Sequence, residues 1–288
     1  MSLESAGTVT VSLFGPVSPG EGRAVFAPTD TQDWDRCPVY RKLKREGWQP
    51  RDQVWTPNLL LGIAIGDGLS EAYRHWSDPN PESFGRPVAF KALEDGYVEN
   101  PEDTLPGLVR LVGRGLEAAI KEDAPRGRAI VRVDVSLGVC RPDLIVRGPS
   151  GLSTINTKVS RQVHPNYRET RLAEYETDFQ LWHEAWEAQQ FFGEPVVSRG
   201  VLQVVLAPRL QATLMEWPVA PEGMAFWLSE AEAAWALMDQ ERRGERPITP
   251  HHASCYGKFG RCVYLDACHE FRLDPEQMDA YYTKEAQS

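Results

Sequence analysis

Four cysteines at the two ends of the chain constrain its fold more than any other feature. Cys37 stands near the start of the 288 residues, while Cys255, Cys262 and Cys268 stand near the end. Spaced cysteines in a reducing compartment are more typical of metal ligands than of disulfides. A metal centre bound by all four side chains would therefore hold both ends of the chain together around the residues between them.

The spacing of these cysteines favours an iron–sulfur cluster. Six residues separate Cys255 from Cys262 and five separate Cys262 from Cys268, whereas zinc ribbons carry paired C-x2-C knuckles. One distant thiolate and three closer ones suit a [4Fe–4S] cluster, whose binding would stabilise the fold. Zinc and free buried cysteines are the alternatives. Three histidines flank the cysteines and could replace a zinc ligand, although loop histidines are the commoner case: His251, His252 and His269.

The composition predicts an intracellular, cytoplasmic protein that does not enter membranes. Hydrophobic residues make up 42% and charged residues 25% of the chain, as in globular proteins. No apolar run reaches the roughly 18 residues that a membrane helix needs, and the start of the chain lacks the basic segment of a secretory signal. The net charge of −10 argues against bulk affinity for nucleic acid but allows a local basic groove.

Apolar periodicity and turn residues predict alternating helices and strands. Helices are expected over 29–47, 56–76, 103–122, 169–192, 225–242 and 274–284. Strands are expected over 129–139, 143–147, 152–158, 200–208 and 212–219, with strand and loop over 1–28 and loop and short strand over 78–102. Glycine weakens an isolated helix by about 1 kcal/mol. Close packing of the second helix is therefore indicated by Gly62, Gly66 and Gly68.

The order of these elements predicts an α/β topology. The first three strands are close enough in sequence to form an antiparallel meander. A helix then leads to the strand at 200–208, which should make that strand parallel to a meander strand. The chain divides into a strand and loop segment (1–28), a helical region with the first cysteine (29–128), an α/β core (129–220) and a helical region with three cysteines (221–288).

Asp143, Asn156 and Lys158 are expected at the same end of two neighbouring strands. A tight hairpin joins these strands, so Asp143 and Asn156 can lie side by side. Asn156 and Lys158 are two residues apart and share one face of the sheet. Oxygen ligands of this kind suit Mg²⁺ or Mn²⁺, which activates water and neutralises charge on a phosphate. A lysine beside the metal can orient the attacking water, so the pattern indicates phosphodiester hydrolysis.

These residues resemble the PD-(D/E)xK nuclease superfamily, in particular its RecB-like exonuclease branch, which includes CRISPR-adaptation and phage exonucleases. The dipeptide ending at Asp143 is similar to the first half of the signature, and the tripeptide ending at Lys158 to the second half. FQLWHEAW resembles the Q-x-x-x-Y motif and places Gln180 at its glutamine. The four cysteines resemble the iron–sulfur ligands of this branch. The resemblance covers about residues 34–270.

The resemblance implies a restriction-endonuclease-like α/β core, made of a helix, a three-strand meander, a helix and a strand, with a helical iron–sulfur extension from both termini. It implies exonuclease-type cleavage of DNA. Asp143 would hold Mg²⁺ or Mn²⁺, and Asn156 would contribute weakly. Lys158 would act on the attacking water, and Gln180 would position the substrate. The implied partners are DNA, as single strands or ends, and a protein of a recombination, repair or CRISPR-like pathway in a prokaryote or phage.

Three positions depart from the family pattern. The family has Asp or Glu where Asn156 stands, a metal-binding histidine where Gly66 stands, and the tyrosine of Q-x-x-x-Y where Glu184 stands. Asp67 and Glu71 are nearby acids that could bind the metal in place of the histidine. Together the departures indicate functional decay, and an engineered change at Asn156 alone would not explain the other two. The alternative function is a catalytically inactive relative that binds DNA or a protein partner as a scaffold or inhibitor.

A basic stretch around Cys37 provides candidate contacts to DNA. Trp34, Tyr40 and Trp48 interleave with basic side chains and could stack on bases. A solvated amphipathic helix explains the same pattern equally well. The candidate DNA-binding residues are Arg41, Lys42, Lys44, Arg45 and, after the lysine motif, Arg161.

Overall fold

A five-stranded sheet with helices on both faces forms the centre of the protein. The computed structural model describes residues 25–50, 57–99, 103–122, 125–162, 173–207, 209–251, 255–257, 260–269, 273–279 and 282–284. Most of the strand and loop predicted over 1–28 lies outside the described residues. In the part of the chain that is described, every helix is too short or too polar to cross a bilayer.

The strands of the central sheet follow one another in sequence order. They are β2 (Ala129–Val133), β3 (Leu144–Gly148), β4 (Gly151–Gln162), β5 (Val196–Ala207) and β6 (Gln211–Pro218). The first three pair antiparallel, which confirms the predicted meander. β4 pairs parallel with β5, as the crossover connection predicts, and β5 pairs antiparallel with β6.

Each face of the sheet contributes to its own hydrophobic core. Successive side chains of a strand point to opposite faces, so Leu144 and Val146 pack in one core and Ile145 in the other. Three helices cover the first core: α3 (Pro57–Arg74), α4 (Glu82–Gly96) and α5 (Leu105–Glu122). Two helices cover the second core: α7 (Phe179–Phe192) and α8 (Pro221–Arg242).

The prediction of loop and short strand over 78–102 is wrong, because most of this segment forms α4. Gly85 and Pro87 suggest a break, yet both lie inside the helix. Proline removes one backbone hydrogen bond from a helix. Ala89 and Leu93 are fully buried in the first core, and this packing outweighs the poor local propensity.

α3 and α4 cross at two glycines, so the predicted close packing of α3 is confirmed at Gly68 but is wrong at Gly62 and Gly66. A Cβ at Gly85 would lie 2.3 Å from the carbonyl oxygen of Gly68, and a Cβ at Gly68 would lie 2.8 Å from the Cβ of Ala89. Only glycine at both positions lets the helix backbones approach this closely. A Cβ at Gly62 or Gly66 would meet nothing within 4 Å, so the crossing does not depend on these two residues.

The helix predicted over 29–47 is divided at Cys37. It forms α1 (Pro28–Arg36) and α2 (Pro38–Arg45). Cys37 has extended backbone with φ −169° and ψ 119°, because the proline ring at position 38 disfavours helical backbone in the preceding residue. Pro38 itself suits the first position of α2. The division places the cysteine at the junction of two helices.

The helix predicted over 169–192 is also divided. Its described residues form a helical turn over 173–176 (α6) and then α7. Asp178 caps α7, because its side chain accepts a hydrogen bond from the backbone N–H of Gln180 at 2.7 Å. Gly193, with φ 66°, ends the helix. The cap determines where α7 begins and therefore which of its residues face β4.

Outside the central sheet, a segment that follows α2 pairs with the last described residues. β1 (Trp48–Pro50) pairs antiparallel with β9 (Tyr282–Lys284). The helix predicted over 274–284 is therefore wrong beyond the short α10 (Pro275–Met278), because the last residues form a strand against β1 and bury Tyr282. The remaining C-terminal elements are β7 (Tyr256–Gly257), β8 (Gly260–Arg261) and α9 (Leu265–His269). The division into four regions stays a prediction.

Replacement of Gly85 by alanine should destabilise the protein by about 1–3 kcal/mol, because the added Cβ would overlap the carbonyl oxygen of Gly68. Gly62→Ala in α3 is the matched control. Its Cβ has space, and alanine favours a helix over glycine by about 1 kcal/mol. Urea unfolding followed by circular dichroism measures both variants. Equal stability of the two would contradict the glycine crossing.

Candidate functional site

A cavity of about 750 Å³ lies between α3 and the end of β4, beside the start of β3. Its walls also include the connection between β2 and β3 and the residues that precede α7. Carboxylates outnumber cations in its lining. The acids are Asp67, Asp134, Asp143, Glu174 and Asp178, and the cations are Arg141 and Lys158. An anionic substrate would therefore need a cation to neutralise this lining.

Asp143 immediately precedes β3 and reaches toward β4. Its Oδ2 accepts a hydrogen bond from the backbone N–H of Thr157 at 2.6 Å. The strand register pairs Leu144 with Ile155, and its continuation places Asp143 beside Asn156. Burial raises the pKa of the Asp143 carboxyl, and the Thr157 N–H acts in the opposite direction. A cation bound beside this group would favour its ionised form.

Lys158 and Gln180 contact each other between β4 and α7. The Lys158 Nζ donates a hydrogen bond to the Gln180 Oε1 at 3.0 Å. Lys158 lines the cavity together with Asp143. Gln180 lies in the first turn of α7, where the Asp178 cap holds its backbone. The side chain of Gln180 thus fixes the position of the lysine ammonium.

Asn156 contacts an acid on α7. Its Nδ2 donates a hydrogen bond to the Oε2 of Glu184, and the two residues are only 2% and 1% exposed. The Oε1 of Glu184 accepts a second hydrogen bond, from the Nε2 of Gln180 at 2.7 Å. Burial raises the pKa of Glu184 to about 7, against the effect of the two amide hydrogen bonds. Sequence reasoning missed this placement, although residues four apart on a helix share a face.

One of the two acids predicted on α3 lines the cavity. Asp67 does so, and burial raises the pKa of its carboxyl. Glu71 pairs instead with Arg74 at 2.9 Å and His75 at 3.3 Å, and it is not part of the cavity lining. Gly66 lines the cavity with open space at its Cβ position.

Asp134 and Arg141 line the cavity without having been predicted. Asp134 follows β2 with a φ of 52°, which is uncommon for a residue other than glycine. Its side chain accepts a hydrogen bond from Arg141, and its backbone N–H donates to the carbonyl oxygen of Asp143 at 2.9 Å. Backbone of this kind concentrates at functional sites. The strand predicted over 129–139 placed Asp134 inside a strand, whereas β2 ends at Val133. The available signal was therefore only the arginine directly before the PD dipeptide.

A buried network connects α7 to the turn before Asp143. Glu187 accepts hydrogen bonds from the backbone N–H groups of Val139 and Cys140, each at 3.1 Å, and His183 lies 3.3 Å from its Oε1. Burial acts to raise the pKa of Glu187, but the hydrogen bonds from His183 and Cys140 hold it below its usual value. Burial and Glu187 raise the pKa of the Cys140 thiol. Cys140 is therefore an unreactive, structural thiol.

Three of the four cysteines lie in one apolar cluster, and a backbone hydrogen bond connects the fourth, Cys255, to it. Cys37, Cys262 and Cys268 belong to the same hydrophobic cluster, which also contains Tyr264. The backbone N–H of Cys262 donates to the carbonyl oxygen of Cys255 at 2.8 Å. Burial raises the pKa of Cys268 to about 12, and the charges of the other three thiols add to this effect. All four are free thiols.

Neither group of candidate ligands already has the geometry of a metal site. Among the described residues, no three histidine, cysteine, aspartate or glutamate side chains stand close enough together to hold a metal ion. The donor chemistry nevertheless fits, because carboxylate and amide oxygens suit Mg²⁺ or Mn²⁺ and thiols suit iron. Binding of either would require the side chains to converge further.

The basic residues of α2 already contact other parts of the protein. Arg41 is buried, and this burial lowers the pKa of its guanidinium. Lys42 and Lys44 pair with carboxylates at 2.7 Å and 2.6 Å. Arg45 ends the same helix. Contact of these residues with DNA stays a prediction.

Arg161 on β4 forms a two-pronged ion pair. Its two terminal nitrogens donate to the two carboxylate oxygens of Asp103, each at 2.6 Å. Asp103 is only 6% exposed. Parallel hydrogen bonds of this kind are among the stronger ones in proteins, so the pair ties the end of β4 to the start of the α5 segment.

These elements define a mixed α/β protein with a cavity at one end of its sheet. A solved structure from Eubacterium rectale, named "Putative exonuclease", shares this fold with a TM-score of 0.54 at 11% identity, and the match covers 99% of this chain and 97% of that chain. SSO0001 is less similar, with a TM-score of 0.28 at 13% identity over 73% of this chain and 94% of that chain. No protein-family model and no curated protein matches the chain.

Arg161→Ala should lower the free energy of unfolding by about 1–3 kcal/mol, because it removes both hydrogen bonds from the buried Asp103 carboxylate. Lys42→Ala is the control for loss of an exposed ion pair and should cost less than about 1 kcal/mol. Chemical unfolding measures both. A loss no larger than that of the control would show that the fold does not need the Arg161 pair.

Proposed function

We propose that the protein is a metal-dependent nuclease of the RecB-like PD-(D/E)xK type, which hydrolyses DNA phosphodiester bonds from single strands or ends. The observation that carries this proposal is one cavity lined by both Asp143 and Lys158, which come from adjacent strands at the same end of the sheet. The fold shared with a protein named as an exonuclease is consistent with it.

In the proposed reaction, the residues at the cavity would have separate roles in metal binding and in orientation of water. Asp143 and the amide oxygen of Asn156 would hold Mg²⁺ or Mn²⁺, with Asp67 as a further acid of the cavity. The metal would activate water and neutralise charge on the phosphate. Lys158, held by Gln180, would orient the attacking water. The cavity volume lies within the range of ligand-binding cavities.

A second candidate function is binding of DNA or a protein partner without cleavage. The observation that favours it is the neutral Asn156 at the position where the family has an acid, together with the excess of carboxylates in the cavity. Without a bound cation, this lining would repel a phosphate.

We also propose that Cys37, Cys255, Cys262 and Cys268 bind a [4Fe–4S] cluster. Geometry supports this, because Cys37, Cys262 and Cys268 share one apolar cluster and Cys255 is hydrogen-bonded to the backbone of Cys262. The cluster would stabilise the contact between the two chain ends, since binding energy at such a site adds to the folding free energy. Zinc is the alternative metal.

End-labelled single-stranded DNA should be degraded when Mn²⁺ or Mg²⁺ is present. Asp143→Ala and Lys158→Ala should each slow cleavage by at least about 100-fold, because one removes a metal ligand and the other the group that orients water. Lys121→Ala, outside the cavity and not among the candidate DNA contacts, should cleave like the parent. Parent protein that binds DNA without cleaving it would instead support the binding function.

Protein purified without oxygen should be coloured and contain iron and acid-labile sulfide in equal amounts. Serine at any of the four cysteine positions should reduce the iron content, because a thiolate ligand is lost. Cys140→Ser is the matched control and should retain the iron, since Cys140 lies in the network around Glu187. A colourless protein that contains zinc would overturn the cluster assignment.

A further inference from the structure

We propose that Glu184 is a positioning residue that supplies, from behind Asn156, the negative charge that this strand position lacks. The inference rests on the proposed function, because it concerns the same candidate metal site. Glu184 acts through two amides: it would turn the carbonyl oxygen of Asn156 toward the metal and the carbonyl oxygen of Gln180 toward Lys158.

The contacts of Glu184 fix the orientation of the two amides. Both carboxyl oxygens of Glu184 act as hydrogen-bond acceptors. Glu184 accepts one hydrogen bond from the Nδ2 of Asn156 and one from the Nε2 of Gln180. Each amide nitrogen is thereby directed at Glu184, and each carbonyl oxygen must point away from it. The Oε1 of Gln180 accordingly accepts from the Lys158 Nζ at 3.0 Å.

The contact with Glu184 also makes the carbonyl oxygen of Asn156 a better metal ligand. The continued register places Asn156 beside Asp143, which lines the cavity. An amide oxygen whose N–H₂ group donates to a carboxylate carries more negative charge than an isolated amide oxygen, since hydrogen bonds in a chain polarise one another. The pair therefore offers a metal a neutral ligand with an anion directly behind it. Carboxylates behind metal-binding histidines act in the same way.

Burial determines how strongly Glu184 acts on its neighbours. Glu184 is 1% exposed, so its ionised form is poorly screened by water, and a nearby cation would favour that form. A cation at Asp143 and Asn156 would lie on the far side of the amide from this charge and would be attracted to it. Asn156 and Glu184 are therefore one unit, and their two departures from the family pattern are coupled.

Coupling of Asn156 to Glu184 predicts the opposite of functional decay at position 156. If the site had decayed only because Asn156 stands in place of an acid, Asn156→Asp would strengthen metal binding. In the proposed arrangement, Asn156→Asp places two carboxylates in contact without a donor between them, which is unfavourable. The double variant Asn156→Asp with Glu184→Gln moves the charge to the strand and keeps a hydrogen bond, because the new glutamine amide can donate to the new carboxylate.

The experiment is titration of the full-length protein with Mn²⁺ by isothermal calorimetry, together with cleavage of end-labelled DNA. Glu184→Gln should weaken Mn²⁺ binding about 10- to 100-fold, the usual effect of losing a group behind a ligand. Asn156→Asp should not improve binding. The double variant should recover most of the loss. Glu241→Gln is the matched control: it neutralises another buried helix carboxylate, which accepts from the Trp34 indole at 2.7 Å, and should leave Mn²⁺ binding unchanged.

Three results would overturn the inference: no Mn²⁺ binding by the parent, unchanged binding in Glu184→Gln, or tighter binding in Asn156→Asp than in the parent. If Glu184→Gln does not fold, the double variant must still bind Mn²⁺ more tightly than Asn156→Asp. The cleavage assay distinguishes failure of this inference from failure of the proposed function. If the variants show the expected pattern of Mn²⁺ binding but no protein cleaves DNA, the nuclease function is wrong and the role of Glu184 stands. If cleavage depends on Asp143 but not on Glu184, the nuclease function stands and the role of Glu184 is wrong.

Discussion

The parallel pairing of β4 with β5 is the constraint on which the candidate site depends. Parallel neighbours cannot be joined by a tight turn and need a crossover, and the crossover here contains α7. To bury its apolar residues, α7 packs on the second core of the sheet. Its first turns then lie over β4, where Gln180 meets Lys158 and Glu184 meets Asn156. These contacts follow from the topology of the sheet.

Asn156 and Glu184, which stand at two of the positions where the sequence differs from the motif it resembles, contact each other in the fold. Along the chain they are 28 residues apart. In the fold they form one buried hydrogen-bonded unit, in which β4 supplies the amide and α7 supplies the carboxylate. Gly66 differs from both, since it lines the cavity and a side chain there would have space. Gly66 thus leaves space in the cavity, whereas Asn156 is buried against Glu184 and is not among the cavity-lining residues.

Strand pairing and apolar contacts connect the segment around Cys37 to the C-terminal region without a metal. The pairing of β1 with β9 and the apolar cluster around Cys37 bring residues from both termini into contact. Pro38 contributes by ending α1 at the cysteine. The thiols are thus assembled on a frame that already joins the termini, and a cluster would stabilise this contact further.

Sequence patterns were sufficient to predict the meander, the parallel strand, the close packing at Gly68 and the adjacency of Asp143 to Asn156. Strand alternation, hairpin length and the position of a crossover helix follow from the order of residues along the chain. The sequence patterns predicted one helix over 29–47, although Pro38 is a local signal for its division. The fold was needed to establish that α4 is a helix, that β9 pairs with β1, that Glu184 contacts Asn156 and that Arg161 binds Asp103, which lies 58 residues away. Each of these features depends on burial or on a partner that is distant in the chain, and such contacts outweigh local propensity.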